Sequence, residues 1–125
     1  MGEISYPIPR ALLLTSNQRQ HWAPKAKATR ELRRIAYWQG RAHLDQRVTS
    51  YPVRCVVTID YRDRRRRDAA NLAPTIKAIL DGLVDAGILP DDSTEYLTGA
   101  DPRIGYDATL RAGFLGVTVR FTTEL

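Results

Sequence analysis

Residues 51–87 read YPVRCVVTIDYRDRRRRDAANLAPTIKAILDGLVDAG, and a change of period inside this stretch decides the fold. From Tyr51 to Tyr61, apolar Val53, Cys55, Val57 and Ile59 alternate with Arg54, Thr58 and Asp60. Alternation with β-branched residues predicts a strand with one buried face. Arg62 to Arg67 reads as a charged loop. From about Leu72 to Ala86 the spacing becomes helical, with Ile76, Ile79, Leu80 and Leu83 as the apolar stripe. Pro74 fits only the first turn of that helix, where no backbone donor is lost. Gly87 is placed to end it in a left-handed conformation.

Working outward, Ile4 to Ile8 predicts a short strand, confined to an edge by Pro7 and Pro9. Thr15 to Trp22 is polar and loop-like. A further helix is expected from about Lys27 to Leu44, on a stripe of Leu32, Ile35, Ala36, Trp38 and Ala42, with Arg30, Arg33, Arg34 and Arg41 mostly elsewhere. Downstream, Glu95 to Thr98 reads as a short strand and Asp101, ahead of Pro102, as a turn residue. Gly113 to Thr122 alternates Leu115, Val117, Val119 and Phe121 against polar and small positions and reads as the last strand. Together these predict a single domain over residues 1–125: a small α/β (α+β) fold with a mixed sheet of about four strands and two main helices. Trp22 and Trp38 are expected in the core or an interface rather than as base-stacking platforms. His21 is expected packed or hydrogen-bonded beside Trp22, and His43 has an ordinary place near a helix end.

A chain of 125 residues can bury a usable core without metal or disulfide staples. Its formal charge of +5 suggests a polyanionic partner, most simply nucleic acid. The single cysteine, Cys55, excludes an intrachain disulfide and fits a reducing cytoplasm. The apolar run Ala11 to Leu14 is too short for a signal segment or a membrane span, so a cytosolic protein with no membrane partner is expected. Two histidines and one cysteine argue against a tetrahedral zinc site. Neither a Ser-His-Asp arrangement nor a glycine-rich phosphate loop is present.

The residues that carry chemistry are Arg64, Arg65, Arg66, Arg67 and Asp68, then Asn71, Lys77, Asp81 and the pair Asp91 and Asp92. Asp68 falls between the best strand and the helix after it, where functional loops of α/β domains tend to lie. Lys77 and Asp81 lie about 40° apart on that helix, off its apolar stripe. Phosphodiester hydrolysis needs an activated water and neutralisation of charge on a pentavalent phosphate. Carboxylates can hold Mg²⁺ for that purpose, a lysine adds positive charge where negative charge develops, and arginines grip flanking phosphates. Each element also has a plainer reading. The arginine run can be a solvated face, Asp68 a helix N-cap, Lys77 and Asp81 a surface i,i+4 pair, and Asp91-Asp92 turn chemistry. For Asp92 to join Asp68, the chain after Pro90 must fold back toward the start of the helix, or the site must be shared between subunits.

The series Asp63-Arg64-Arg65-Arg66-Arg67-Asp68, Asn71-Leu72, Lys77-Ala78, Asp81, Leu83, Ala86-Gly87 and Asp91-Asp92 resembles the RusA family of Holliday-junction resolvases. The phrase from Lys77 to Gly87 is especially similar to the phage and prophage members. Ser16-Asn17-Gln18-Arg19-Gln20-His21-Trp22 is similar to a family element that follows the first strand. The resemblance implies a homodimer that nicks four-way DNA junctions with Mg²⁺, or Mn²⁺ in its place. It makes Asp68 and Asp92 metal ligands with Asp91 beside them, Lys77 the catalytic lysine, and the arginine run a lining of the DNA channel. One departure stands out. Where the best-known pattern has a second aspartate just before the asparagine, this chain has Ala70, and about three extra residues, Pro74 among them, separate Asn71 from Lys77. Asn71 and Asp81 are the further candidates for the vacant ligand position.

The expectation is a structure-selective endodeoxyribonuclease of recombination and repair in a bacterial or phage-infected cell. Arg64 to Arg67, Arg19, Lys25, Lys27, Arg30, Arg33 and Arg34 would hold the DNA backbone. Two competing readings are a non-catalytic junction-binding protein of the same fold and a nuclease acting on flaps or forks.

Overall fold

The computed structural model describes residues 2–18 and 22–123, so Arg19, Gln20 and His21 lie outside the described residues. The elements run β1 (Glu3–Pro9), α1 (Trp22–Ala42), β2 (Val53–Tyr61), α2 (Ala73–Ala86), β3 (Leu97–Tyr106) and β4 (Phe114–Thr123), with short 3₁₀ turns at Arg10–Leu12, Leu44–Gln46 and Ala69–Leu72. The four strands form one mixed sheet in the order β1-β4-β2-β3. β4 is antiparallel to β1 and β2, and β2 is parallel to β3. A parallel pair needs a crossover, and α2 supplies it. This is the α/β fold the alternating and helical periods predict.

Val53, Cys55, Val57 and Ile59 of β2 and Leu115, Val117, Val119 and Phe121 of β4 are buried, while the residues between them are half-buried or, at Arg120, exposed. The sheet therefore has one covered face, built as the alternation requires. β1 is an edge strand, as its two prolines demand, with Ile4, Tyr6 and Ile8 turned inward.

The two helices pack closely on each other. A Cβ added at Gly82 would overlap the backbone carbonyl oxygen of Arg33, and one at Gly40 would come within 2.6 Å of the Ala86 methyl. The buried stripe of α1 is accordingly made of Ala28, Leu32, Ala36 and Gly40, mostly small residues four apart. Of the two places expected for the tryptophans, the core is excluded: Trp22 is 81% and Trp38 59% exposed, and the tight seam has no room for an indole. Ala42 is exposed too. The helix begins at Trp22, earlier than Lys27, with Pro24 tolerated in its first turn, and ends two residues before Leu44. Gly82→Ala should lower stability by about 1–3 kcal/mol, the usual cost of overpacking, seen as a lower urea midpoint.

β3 is the largest departure from expectation: a strand of ten residues rather than Glu95 to Thr98. Asp101 is thus a strand residue and not a turn residue. Its carboxylate accepts from Arg54 Nε at 2.8 Å and Nη2 at 2.6 Å across the parallel pair. β3 is the other edge, so Pro102 costs no interior ladder bond. Gly99 and Gly105 leave room for the side chains of Arg54 and Asp60 on β2. These features remove the β-branched alternation that marks the other strands. Among the described residues no helix is long and apolar enough to cross a membrane.

Candidate active site

The expected site residues fall in two places, at the start of α2 and along α2 with the turn that follows it. Asp68 has an extended backbone (φ −101°, ψ 114°), and its Oδ1 accepts from the Ala70 N–H at 3.1 Å. It therefore caps the 3₁₀ turn Ala69–Leu72, which runs directly into α2. The segment after β1 docks onto this start. The buried Thr75 hydroxyl accepts from the Leu14 N–H at 2.8 Å and donates to the Leu14 carbonyl at 2.7 Å, and the Ser16 N–H donates to the Asn71 carbonyl at 2.9 Å. These bonds bring Thr15 and Asn17 to a pocket of about 300 Å³ that also contains Asp68, Asn71, Arg66 and Arg67. Arg10, Leu13, Tyr61 and Leu72 line the rest of it.

At the other end, Gly87 (φ 90°) closes α2 with paired bonds, its own N–H to Val84 O and the Ile88 N–H to Leu83 O, both 3.0 Å. Ile88 and Leu89 then bury completely or nearly so, which turns the chain back along the helix. Lys77 lies nine residues before the end of α2, about 13 Å by the helical rise, a span that the six residues from Gly87 to Asp92 can retrace. They do so: Lys77 Nζ donates to Asp92 Oδ2 at 2.8 Å as well as to Asp81 Oδ1 at 2.9 Å. Asp91 Oδ1 accepts from the Asp92 N–H at 2.9 Å.

The two carboxylates set the charge of the lysine. Hydrogen bonds donated to Asp92 and then to Asp81 push the Lys77 ammonium well above the ordinary lysine range, so it stays cationic at any physiological pH. The same contact holds Asp92 below the usual carboxylate range. For Asp92 the lowered folded value means stabilisation that is present above an unfolded pKa of about 4 and lost as pH falls through the folded value. For Lys77 the raised value means stabilisation that is present below about pH 10.4 and lost as pH rises beyond it. The stability gap between the parent and Asp92→Asn, read from urea melts, should be flat from about pH 5 to 9 and close only in stronger acid or base.

The cations separate into two groups. Arg67 is held: its guanidinium donates to Asp63 Oδ1 at 2.7 Å and stacks 3.7 Å over the Tyr61 ring. Arg64 stacks 4.0 Å over Tyr106, and Arg65 lies 3.6 Å from Asp63. On α1, Arg33 pairs with Asp85 at 2.6 Å, Arg34 with Glu31 at 2.8 Å, and Lys25 donates to the Gln18 carbonyl at 3.1 Å. Arg66, Lys27 and Arg30 are exposed and have no ion-pair partner among the described residues. His43 is as ordinary as expected, its Nδ1 2.8 Å from the Gln39 carbonyl oxygen.

Lys77, Asp81 and Asp92 are therefore in direct contact, with Asp91 alongside. Asp68 makes no hydrogen bond to them and shares its pocket with Asn71 instead. Among the described residues no group of three or more His, Cys, Asp and Glu is gathered in a metal-holding arrangement. The donors that the resemblance points to, the carboxylates of Asp68, Asp91 and Asp92, are hard oxygens of the kind Mg²⁺ takes. Sequence reasoning missed Arg10, Thr15, Asn17 and Tyr61. Of these, Asn17 belongs to the Ser16–Trp22 segment that resembles a family element, and that is the one available signal. A larger groove of about 590 Å³ lies on the uncovered sheet face around Asp60 and Asp107 and contains none of the expected site residues. No protein-family model and no curated protein matches the chain.

Proposed function

We propose that this chain is a divalent-metal-dependent endodeoxyribonuclease of the RusA type, which cuts four-way DNA junctions during recombination and repair. The observation that carries the reading is the Lys77 ammonium held between Asp81 and Asp92, two carboxylates brought together by the turn at Gly87. A lysine kept charged in this way serves as a fixed positive group beside a phosphate in its transition state, not as a proton acceptor. Asp68, Asp91 and Asp92, with Asn71 and Asp81 as supplementary donors, would hold Mg²⁺, which supplies charge neutralisation and activation of water. The exposed Arg66, Lys27 and Arg30, with Arg64 and Arg65, meet the DNA backbone. A junction with two-fold symmetry needs two cuts, so the working form is a homodimer with one site in each subunit, acting on DNA in the cytoplasm near the nucleoid.

The test is a panel of labelled four-way junction, flap, fork and linear duplex, each incubated with Mg²⁺ and with chelator. Junction cleavage that requires Mg²⁺ is expected. Cleavage of flaps or forks with junctions left intact would move the substrate assignment. A second reading has its own support. The Asp68 carboxylate already serves as a cap, which suits a junction-binding protein without catalysis. Tight junction binding with no cleavage under any metal would favour it.

A further inference from the structure

The pocket that holds Asp68 and Asn71 is walled by a cation no sequence pattern singles out. Arg10 follows β1 directly, and its backbone N–H donates to the Gly113 carbonyl at 2.9 Å, which fixes where its side chain starts. Its guanidinium carbon lies 5.8 Å from the centre of the Tyr61 ring, on which Arg67 also stacks at 3.7 Å. The two arginines differ in one respect. Arg67 is neutralised by Asp63, whereas Arg10 has no carboxylate partner among the described residues. Arg66, likewise without one, lines the same pocket. Thr15 and Asn17 add polar groups to its rim. Two guanidiniums without a carboxylate partner and the Asn71 amide supply donors for a group that is anionic and accepts several hydrogen bonds, while the Asp68 carboxylate on the same pocket would repel such a group unless a divalent cation lay between them.

We propose that Arg10, with Arg66, anchors a backbone phosphate of the DNA next to the one cut at Asp68, the Tyr61 ring serving as the platform that orients the guanidinium. The proposal rests on the nuclease reading and adds to it a phosphate-binding residue outside the arginine run. A guanidinium suits the task because its planar fork meets two phosphate oxygens at once, and its charge releases condensed counterions from the DNA.

The test measures binding of a synthetic four-way junction in chelator, where nothing is cut, as a function of salt, for the parent chain, Arg10→Gln and Arg10→Lys. Arg10→Gln should weaken binding about tenfold at low salt and reduce the slope of log K against log salt by about one. Arg10→Lys should restore the slope, with part of the affinity. Thermal melts should be unchanged in both variants, since the side chain is exposed and the backbone bond to Gly113 remains. Unchanged affinity and slope in Arg10→Gln would overturn the proposal, and Mg²⁺-dependent cleavage by that same variant at the parent rate would show that the nuclease reading survives without it. A slope that lysine does not restore would overturn it also, because the contact would not be one of charge. A parent chain that binds no DNA would remove both.

Discussion

Asp92→Asn should bind a four-way junction about as tightly as the parent chain and cut it on the order of 10³-fold more slowly. Asparagine keeps the shape of the side chain and can still accept from Lys77, and the position is partly exposed, so the fold is retained. What disappears is the negative charge. That charge is the part of Asp92 that a divalent cation would need, and it is half of what holds the Lys77 ammonium in place. Single-turnover cleavage at saturating enzyme separates this loss from any loss of binding. A rate equal to the parent's would take Asp92 out of the site.

Lys77→Met should lower the cleavage rate by about 10²-fold with almost no change in stability. Its side chain is 64% exposed, and exposed ion pairs contribute roughly 0–1 kcal/mol, so the contact with Asp81 and Asp92 holds geometry more than it holds the fold. A merely structural lysine would show the opposite pattern, a small stability change with full activity. Because Lys77 and Asp92 are in contact, their effects should not add: Lys77→Met in the Asp92→Asn background should cost clearly less than it does alone. Full additivity would mean that the two act in separate places. A pH–rate profile adds a check, since a lysine held cationic by two carboxylates gives no loss of activity from its own deprotonation up to about pH 10.

The elements legible in the sequence are those where one physical requirement dominates. β2 and β4 have a buried face and a neighbour on each side, so alternation is enforced along their length. α2 packs closely on α1 and is buried along most of its length, so its stripe of Ile76, Ile79, Leu80 and Leu83 and its terminal Gly87 are all informative. β3 is harder to read because an edge strand is constrained from one side only, and Gly99, Pro102 and Gly105 answer to local needs: room for Arg54 and Asp60, and a missing donor that an edge tolerates. Trp22 and Trp38 mislead because hydrophobicity suggests burial, whereas the close approach of α1 to α2 admits only small residues such as Ala36, Gly40 and Gly82. At the site, Lys77 and Asp81 are paired by helical spacing alone, and that was readable. The arrival of Asp92 depends on a turn and two buried residues, Ile88 and Leu89, that guide the chain back. The docking of residues 13–18 through Thr75 is a tertiary event without a local signature, which is why the place of Thr15 and Asn17 beside Asp68 is not legible in the sequence.

Paired nicking of DNA is the decisive behaviour expected of this chain. The direct measurement follows both strands of a labelled four-way junction under single-turnover conditions, with Mg²⁺ and with chelator, for the parent and Asp92→Asn. Two symmetric nicks by the parent are expected in Mg²⁺, none in chelator, and almost none by Asp92→Asn although the junction is bound. Tight binding by the parent with no nicking in Mg²⁺ or Mn²⁺, or nicking that Asp92→Asn leaves unchanged, would contradict the nuclease reading.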